Sequence, residues 1–104
     1  MLSTDRKFHF TAELNIKKSK LLKSHISPKD DEVNWMFINL DNIKYSFVYK
    51  VENPANAQYN YPFEIKIAFT FYDLVENKLE LERLYMVFRG EEEVGTIKLI
   101  KHIN

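Results

Sequence analysis

Cysteine is absent, which removes disulfides, thiol catalysis and thiolate metal sites together and fits a reducing compartment. An excess of charge of one sign is absent as well. Fifteen Lys and Arg balance fifteen Asp and Glu, so no global field draws the chain toward nucleic acid or an anionic membrane, and any such binding has to be local. No stretch approaches the roughly 18 apolar residues of a membrane span, and Met1-Leu2-Ser3-Thr4-Asp5-Arg6-Lys7 lacks the apolar core of a signal peptide. A soluble cytoplasmic protein with no membrane partner is the expectation. Glycine is scarce, with only two in 104 residues, and both fall in Gly90-Glu91-Glu92-Glu93-Val94-Gly95. Glycine costs backbone entropy and buries no side chain, so these two belong where φ > 0 or close backbone approach is required. The stretch reads as strand, tight turn, then a bulged or crowded strand.

What is present is alternation. Phe8, Phe10, Ala12, Leu14 and Ile16 share one face of a half-buried strand. The same period of two recurs at Ile43, Tyr45, Phe47, Tyr49 and Val51, and at Phe63, Ile65, Ile67, Phe69 and Phe71. Two more strands follow, over 84–88 and 96–103. Residues 33–40, apolar on both parities around Trp35, read either as a short buried strand or as the far end of a loop. Leu79 and Leu81 share one parity and Leu84, Met86 and Phe88 the other, so a bulge or corner is expected near Glu82-Arg83. Residues 17–32 and 52–62 are long polar links, and 73–78 is short enough to close a hairpin. About six strands without crossover helices predict an all-β fold, a single antiparallel six-stranded barrel over 1–104 or a compact β-sandwich. The predicted core includes Phe8, Phe10, Leu14, Phe47, Ile65, Ile67, Phe69 and Leu99.

Chemistry-bearing patterns are few. There is no Gly-x-Ser-x-Gly elbow and no Gly-x-x-x-x-Gly-Lys-Ser/Thr loop, and His9, His25 and His102 lack the spacing of a metal pair. Asp30-Asp31-Glu32 and Glu91-Glu92-Glu93 lack the fixed Gly and final Glu of a calcium loop. The expectation is a non-enzyme with no catalytic residue, metal, cofactor or nucleotide. Lys17, Lys18, Lys20 and Lys23 form the densest basic stretch, read as a contact for RNA or an acidic protein surface, or as a solvated loop beside the strand ending at Ile16. Tyr59 and Tyr61 fall in a polar loop, where exposed tyrosines serve as contact anchors. With Trp35 they mark the expected binding surface, to which Lys17, Lys18, Lys20, Arg89, Glu91, Glu92 and Glu93 are added.

Leu84-Tyr85-Met86-Val87-Phe88-Arg89-Gly90-Glu91-Glu92-Glu93-Val94-Gly95 resembles the closing hairpin of the C-terminal β-barrel domain of elongation factor Tu and related translation factors. Lys7-Phe8-His9-Phe10-Thr11-Ala12-Glu13-Leu14 resembles that family's opening strand, and Pro62-Phe63-Glu64-Ile65-Lys66-Ile67 the strand after its Pro-Gly turn. The family's Gly-x-Arg-Pro run has no counterpart between Asp31 and Tyr45, Ile97 stands where its last glycine falls, and three glutamates replace a basic residue near Glu92. The resemblance implies a translation-factor-like barrel standing alone, without a GTPase domain. In the full factor this barrel helps hold the T arm of aminoacyl-tRNA, whereas three adjacent carboxylates repel phosphate. The expected function is therefore a non-catalytic module that docks a protein partner. The alternatives are an RNA- or tRNA-binding barrel and a toxin-neutralising immunity protein.

Overall fold

Inward-facing residues of the alternating runs set the architecture. The computed structural model describes residues 7–17, 27, 28 and 30–103, and for 31–35 the backbone alone. Its strands are β1 (Phe10–Ile16), β2 (Asp31–Leu40), β3 (Ile43–Val51), β4 (Phe63–Phe69), β5 (Leu84–Arg89) and β6 (Glu92–His102). They pair antiparallel in the closed order β1-β4-β3-β2-β5-β6, with β6 returning to β1. The fold is a six-stranded barrel rather than a sandwich.

The interior is filled by one parity of each strand: Phe10, Ala12, Leu14 and Ile16 from β1, Phe47, Tyr49 and Val51 from β3, and Phe63, Ile65, Ile67 and Phe69 from β4. Met36, Ile38 and Leu40 of β2 are buried with them, so residues 33–40 belong to a strand and not to a loop. The turn that brings β2 back into β3 is Asp41-Asn42, with φ of 52° and 67°. Two successive positive values are what a two-residue type I′ turn needs, and Asp and Asn tolerate them best after glycine.

Two expectations, for residues 73–78 and for Phe8, are resolved differently. Residues 73–78 do not close a hairpin, because β4 and β5 are not neighbours. The short helix α1 (Tyr72–Val75) and a 3-10 turn (Glu76–Lys78) instead carry the chain across one end of the barrel. Val75 is fully buried and Leu79 packs against the core, so this crossing plugs that end. The frame change near 82–83 is a corner: Glu82 has φ 67° and its N–H donates to the Leu99 carbonyl at 2.8 Å. Phe8 precedes β1 and is only half-buried, because the ladder between β1 and its neighbours starts two residues later.

Gly90 and Gly95 play the two roles glycine suits. Gly90, first of the two residues between Arg89 and Glu92, has φ 63°, as a type II′ hairpin turn demands. Gly95 pairs with Ile16, and a Cβ there would run into the Asn15 carbonyl oxygen and lie 2.8 Å from the Ile16 Cα. The ladder shifts between Val87 and Phe88, which makes the strand both bulged and crowded.

Phe10→Ala and Phe69→Ala each empty a fully enclosed ring site and should cost about 3–5 kcal/mol in denaturant unfolding. Gly90→Val should cost about 1–3 kcal/mol through backbone strain. Gly95→Ala should cost more than Gly90→Val, because it pushes β6 away from the β1 backbone and not merely a turn out of shape. Equal losses at the two glycines would contradict the close-approach reading.

Candidate functional site

Antiparallel order brings the ends of β1, β3 and β5 and the starts of β2, β4 and β6 to one mouth of the barrel. Most of the residues that the sequence marks for binding meet there. The 52–62 link arrives first. Asn53 Oδ1 accepts the Ala55 N–H at 3.2 Å and caps the 3-10 turn Pro54–Asn56. Ala57 is buried, Tyr59 packs on the core, and the Asn60 N–H donates to the Ile16 carbonyl at 2.8 Å. The loop is thereby pinned across the end of β1, and Tyr61, next along, is left 63 % exposed.

Lys17 follows β1, exposed, with its N–H donating to the Val94 carbonyl at 2.8 Å. Asn15, Lys17, Asn60, Glu93 and Thr96 line an open groove of about 480 Å³ beside it. Glu91 and Glu93 are exposed and Glu92 is half-buried, so the three glutamates are not equivalent. Asp30, from the other acidic cluster, accepts the Val51 N–H at 2.8 Å through its carboxylate and so helps close the end of β3.

Two expected surface residues require correction. Arg89 shares the inward parity of Tyr85 and Val87 and is only 7 % exposed, so it is not a contact residue at the hairpin tip. Among the described residues it is the one charged side chain in the buried set. Tyr59 is half-buried rather than free. Burial pushes its phenol up from the ordinary value, and the nearby Arg89 guanidinium only partly offsets that. Lys18 and Lys20 lie outside the described residues. Trp35 is placed on β2 one residue before Met36, which pairs with Arg89, and its side chain lies outside what is described.

A second constellation gathers at the opposite mouth, around two of the histidines that lack the spacing of a metal pair. Phe10 pairs with His102 across β1 and β6. His9, just before β1, stacks on Tyr72 with ring centres 4.0 Å apart and planes 8° from parallel. The signal was available: a histidine between Phe8 and Phe10, at the start of the first strand, sits next to whatever ends the last one. Among the described residues no group of three His, Asp or Glu converges as a metal site, and no helix is long and apolar enough to cross a membrane.

The Tyr59 phenol sits above its ordinary pKa of 10.0, so its contribution to stability is fully present below about pH 10 and is lost as pH rises through the folded-state value. Tyr59→Phe should therefore remove part of the alkaline loss of stability. Arg89→Met should move the Tyr59 titration higher still, because the cation lowers it. Phenolate absorbance followed against pH reads both, and a Tyr59 that titrates below 10 would contradict the burial.

No protein-family model, no curated protein and no solved structure matches the chain.

Proposed function

We propose that this protein is a non-catalytic binding module of the cytoplasm, a lone barrel in the manner of the C-terminal barrel of elongation factor Tu, that docks a protein partner through the mouth bearing Tyr61, Lys17, Glu91 and Glu93. The observation that carries the reading is the pairing of an exposed tyrosine on a pinned loop with a groove lined by both a lysine and a glutamate. A tyrosine held by its neighbours contributes contact area at little entropy cost. Charges of both signs side by side fit the polar rim of a protein interface, where they steer encounter and select partners. Phosphate tracking needs a continuous basic surface, and Glu91 and Glu93 put exposed carboxylates at this mouth. A toxin-neutralising immunity role is a special case of the same docking.

Co-purification with and without nuclease, followed by association kinetics, tests this. A stoichiometric protein complex that survives nuclease is the expected result. Changing Glu91 and Glu93 together to Gln should leave thermal unfolding unchanged and act mainly on the association rate and its salt dependence. Tight tRNA binding by the unaltered protein, falling steeply with salt, would overturn the proposal in favour of an RNA-binding barrel.

A further inference from the structure

The mouth opposite the docking surface holds a cleft whose walls are fixed by the barrel itself. His9 extends β1 on both sides: its N–H donates to the Ile67 carbonyl at 2.8 Å, and its carbonyl accepts the Ile103 N–H at 2.9 Å. The ring is held as well, because Nδ1 accepts the Phe69 N–H at 3.0 Å. An accepting Nδ1 carries no proton, so the neutral ring bears its hydrogen on Nε2. Tyr72 lies flat against this ring, and the His102 ring stands 4.6 Å from that of Phe10. Lys7, Phe8, His9, Tyr72, His102 and Ile103 together bound a space of about 340 Å³, within the range of small-molecule sites.

The character of that lining is one-sided in a protein whose net charge is zero. A lysine ammonium, a histidine imidazole and a tyrosine hydroxyl all offer donors, and among the described residues no carboxylate lines the cleft. Phe8 and Ile103, both half-buried, supply apolar wall, and the aromatic stack supplies a rigid flank. Burial first, then the charge of Glu76, raises the Tyr72 phenol above its ordinary value, so it stays a neutral donor through the physiological range. Glu76 itself sits on the 3-10 turn and does not line the cleft. Packing explains why His9 is held, but it does not explain why Lys7, Tyr72 and His102 line one space with no carboxylate among the described residues that bound it.

We propose that this cleft binds a small aromatic carboxylate, with its ring against Phe8, Ile103 and the aromatic flank and its carboxylate toward Lys7 and His102. A single ammonium and one imidazole match a monoanion better than a phosphate dianion, which calls for several charge-assisted donors. The site is independent of the docking surface, since it lies at the other end of the barrel.

Amide NMR titration with 2-naphthoate, set against neutral 2-naphthol and inorganic phosphate, provides the test. Naphthoate should give saturable shifts at His9, Phe10, Tyr72 and His102 and leave Tyr61 and Glu93 unmoved. Lys7→Gln and His102→Gln should each weaken it by about fivefold, the scale of one partly solvated ion pair, with the thermal midpoint unchanged. Lys7 is exposed, so that variant keeps the test valid if His102→Gln fails to fold. Naphthol binding as tightly as naphthoate would overturn the carboxylate assignment, and phosphate producing the same shifts would overturn the aromatic one. The absence of saturation up to about 5 mM naphthoate would overturn the site altogether.

Discussion

The closure of the sheet rests on the ladder between β1 and β6, which ties the start of the described chain to its end. β1 pairs on both sides, with β4 from Phe10↔Ile67 to Leu14↔Phe63 and with β6 from Phe10↔His102 to Ile16↔Gly95. A barrel of so few strands must tilt and coil strongly; besides the register shift between Asp31 and Met36 where β2 meets β3, two irregularities on β6 supply that. One is the register shift between Thr11 and Ala12, and the other that between Val87 and Phe88. Both involve β6. At the far end of the same ladder the Gly95 backbone approaches Asn15 and Ile16 so closely that no side chain fits. Every buried side chain on β1, β4 and β6 depends on that approach, because an open sheet would expose the face they fill.

A closed sheet has no edge to offer a partner, so recognition moves to the two mouths or to the outer face. The mouths are built differently. At one, a long loop is pinned over a buried arginine and the surface carries both signs of charge. At the other, Val75 and Leu79 seal the barrel and an aromatic collar of His9, Tyr72 and Phe69 surrounds the plug. On the outer face Leu84 and Met86 are exposed, while Phe88 is half-buried and the Lys44 ammonium sits 4.3 Å over its ring. The lysine stem covers apolar surface there and keeps its charge in water.

The barrel was legible because period-two alternation is a direct imprint of a sheet with one buried face, and in β1, β3 and β4 nothing interrupts it. β2 was harder. Its residues 33–40 are apolar on both parities, and the Asp41-Asn42 turn that resolves it contains no glycine and no proline. Residues 73–78 were misread because a short polar link between two strands suggests a hairpin, and nothing local reveals that the strands are not neighbours. Of the candidate site, the grouping at one mouth follows from strand order, which the sequence does not print. The inward turn of Arg89 was obscured by its charge: parity with Tyr85 and Val87 points in, while residue type argues for the surface. The aromatic collar went unread for a related reason, since His9 and His102 are neighbours only once the barrel closes.

Arg89 changes how the acidic turn should be understood. Read along the sequence, Glu91, Glu92 and Glu93 form one block of negative charge. In the fold Glu92 stands directly opposite Arg89 across the turn and is half-buried, while Glu91 and Glu93 are exposed. A cation brought that far out of water needs compensation close by, and the position of Glu92 is the one the hairpin register supplies. Tyr59 lies on the other side, near enough for the guanidinium to act on its phenol. Arg89 therefore sits between the hairpin and the 52–62 loop, and Glu91 and Glu93 are the exposed glutamates of the turn. Among the described residues the turn thus presents two exposed glutamates and not three, with Lys17 and Glu93 lining the same groove. Charges of both signs in one groove act on a ligand by their placement and not by their sum.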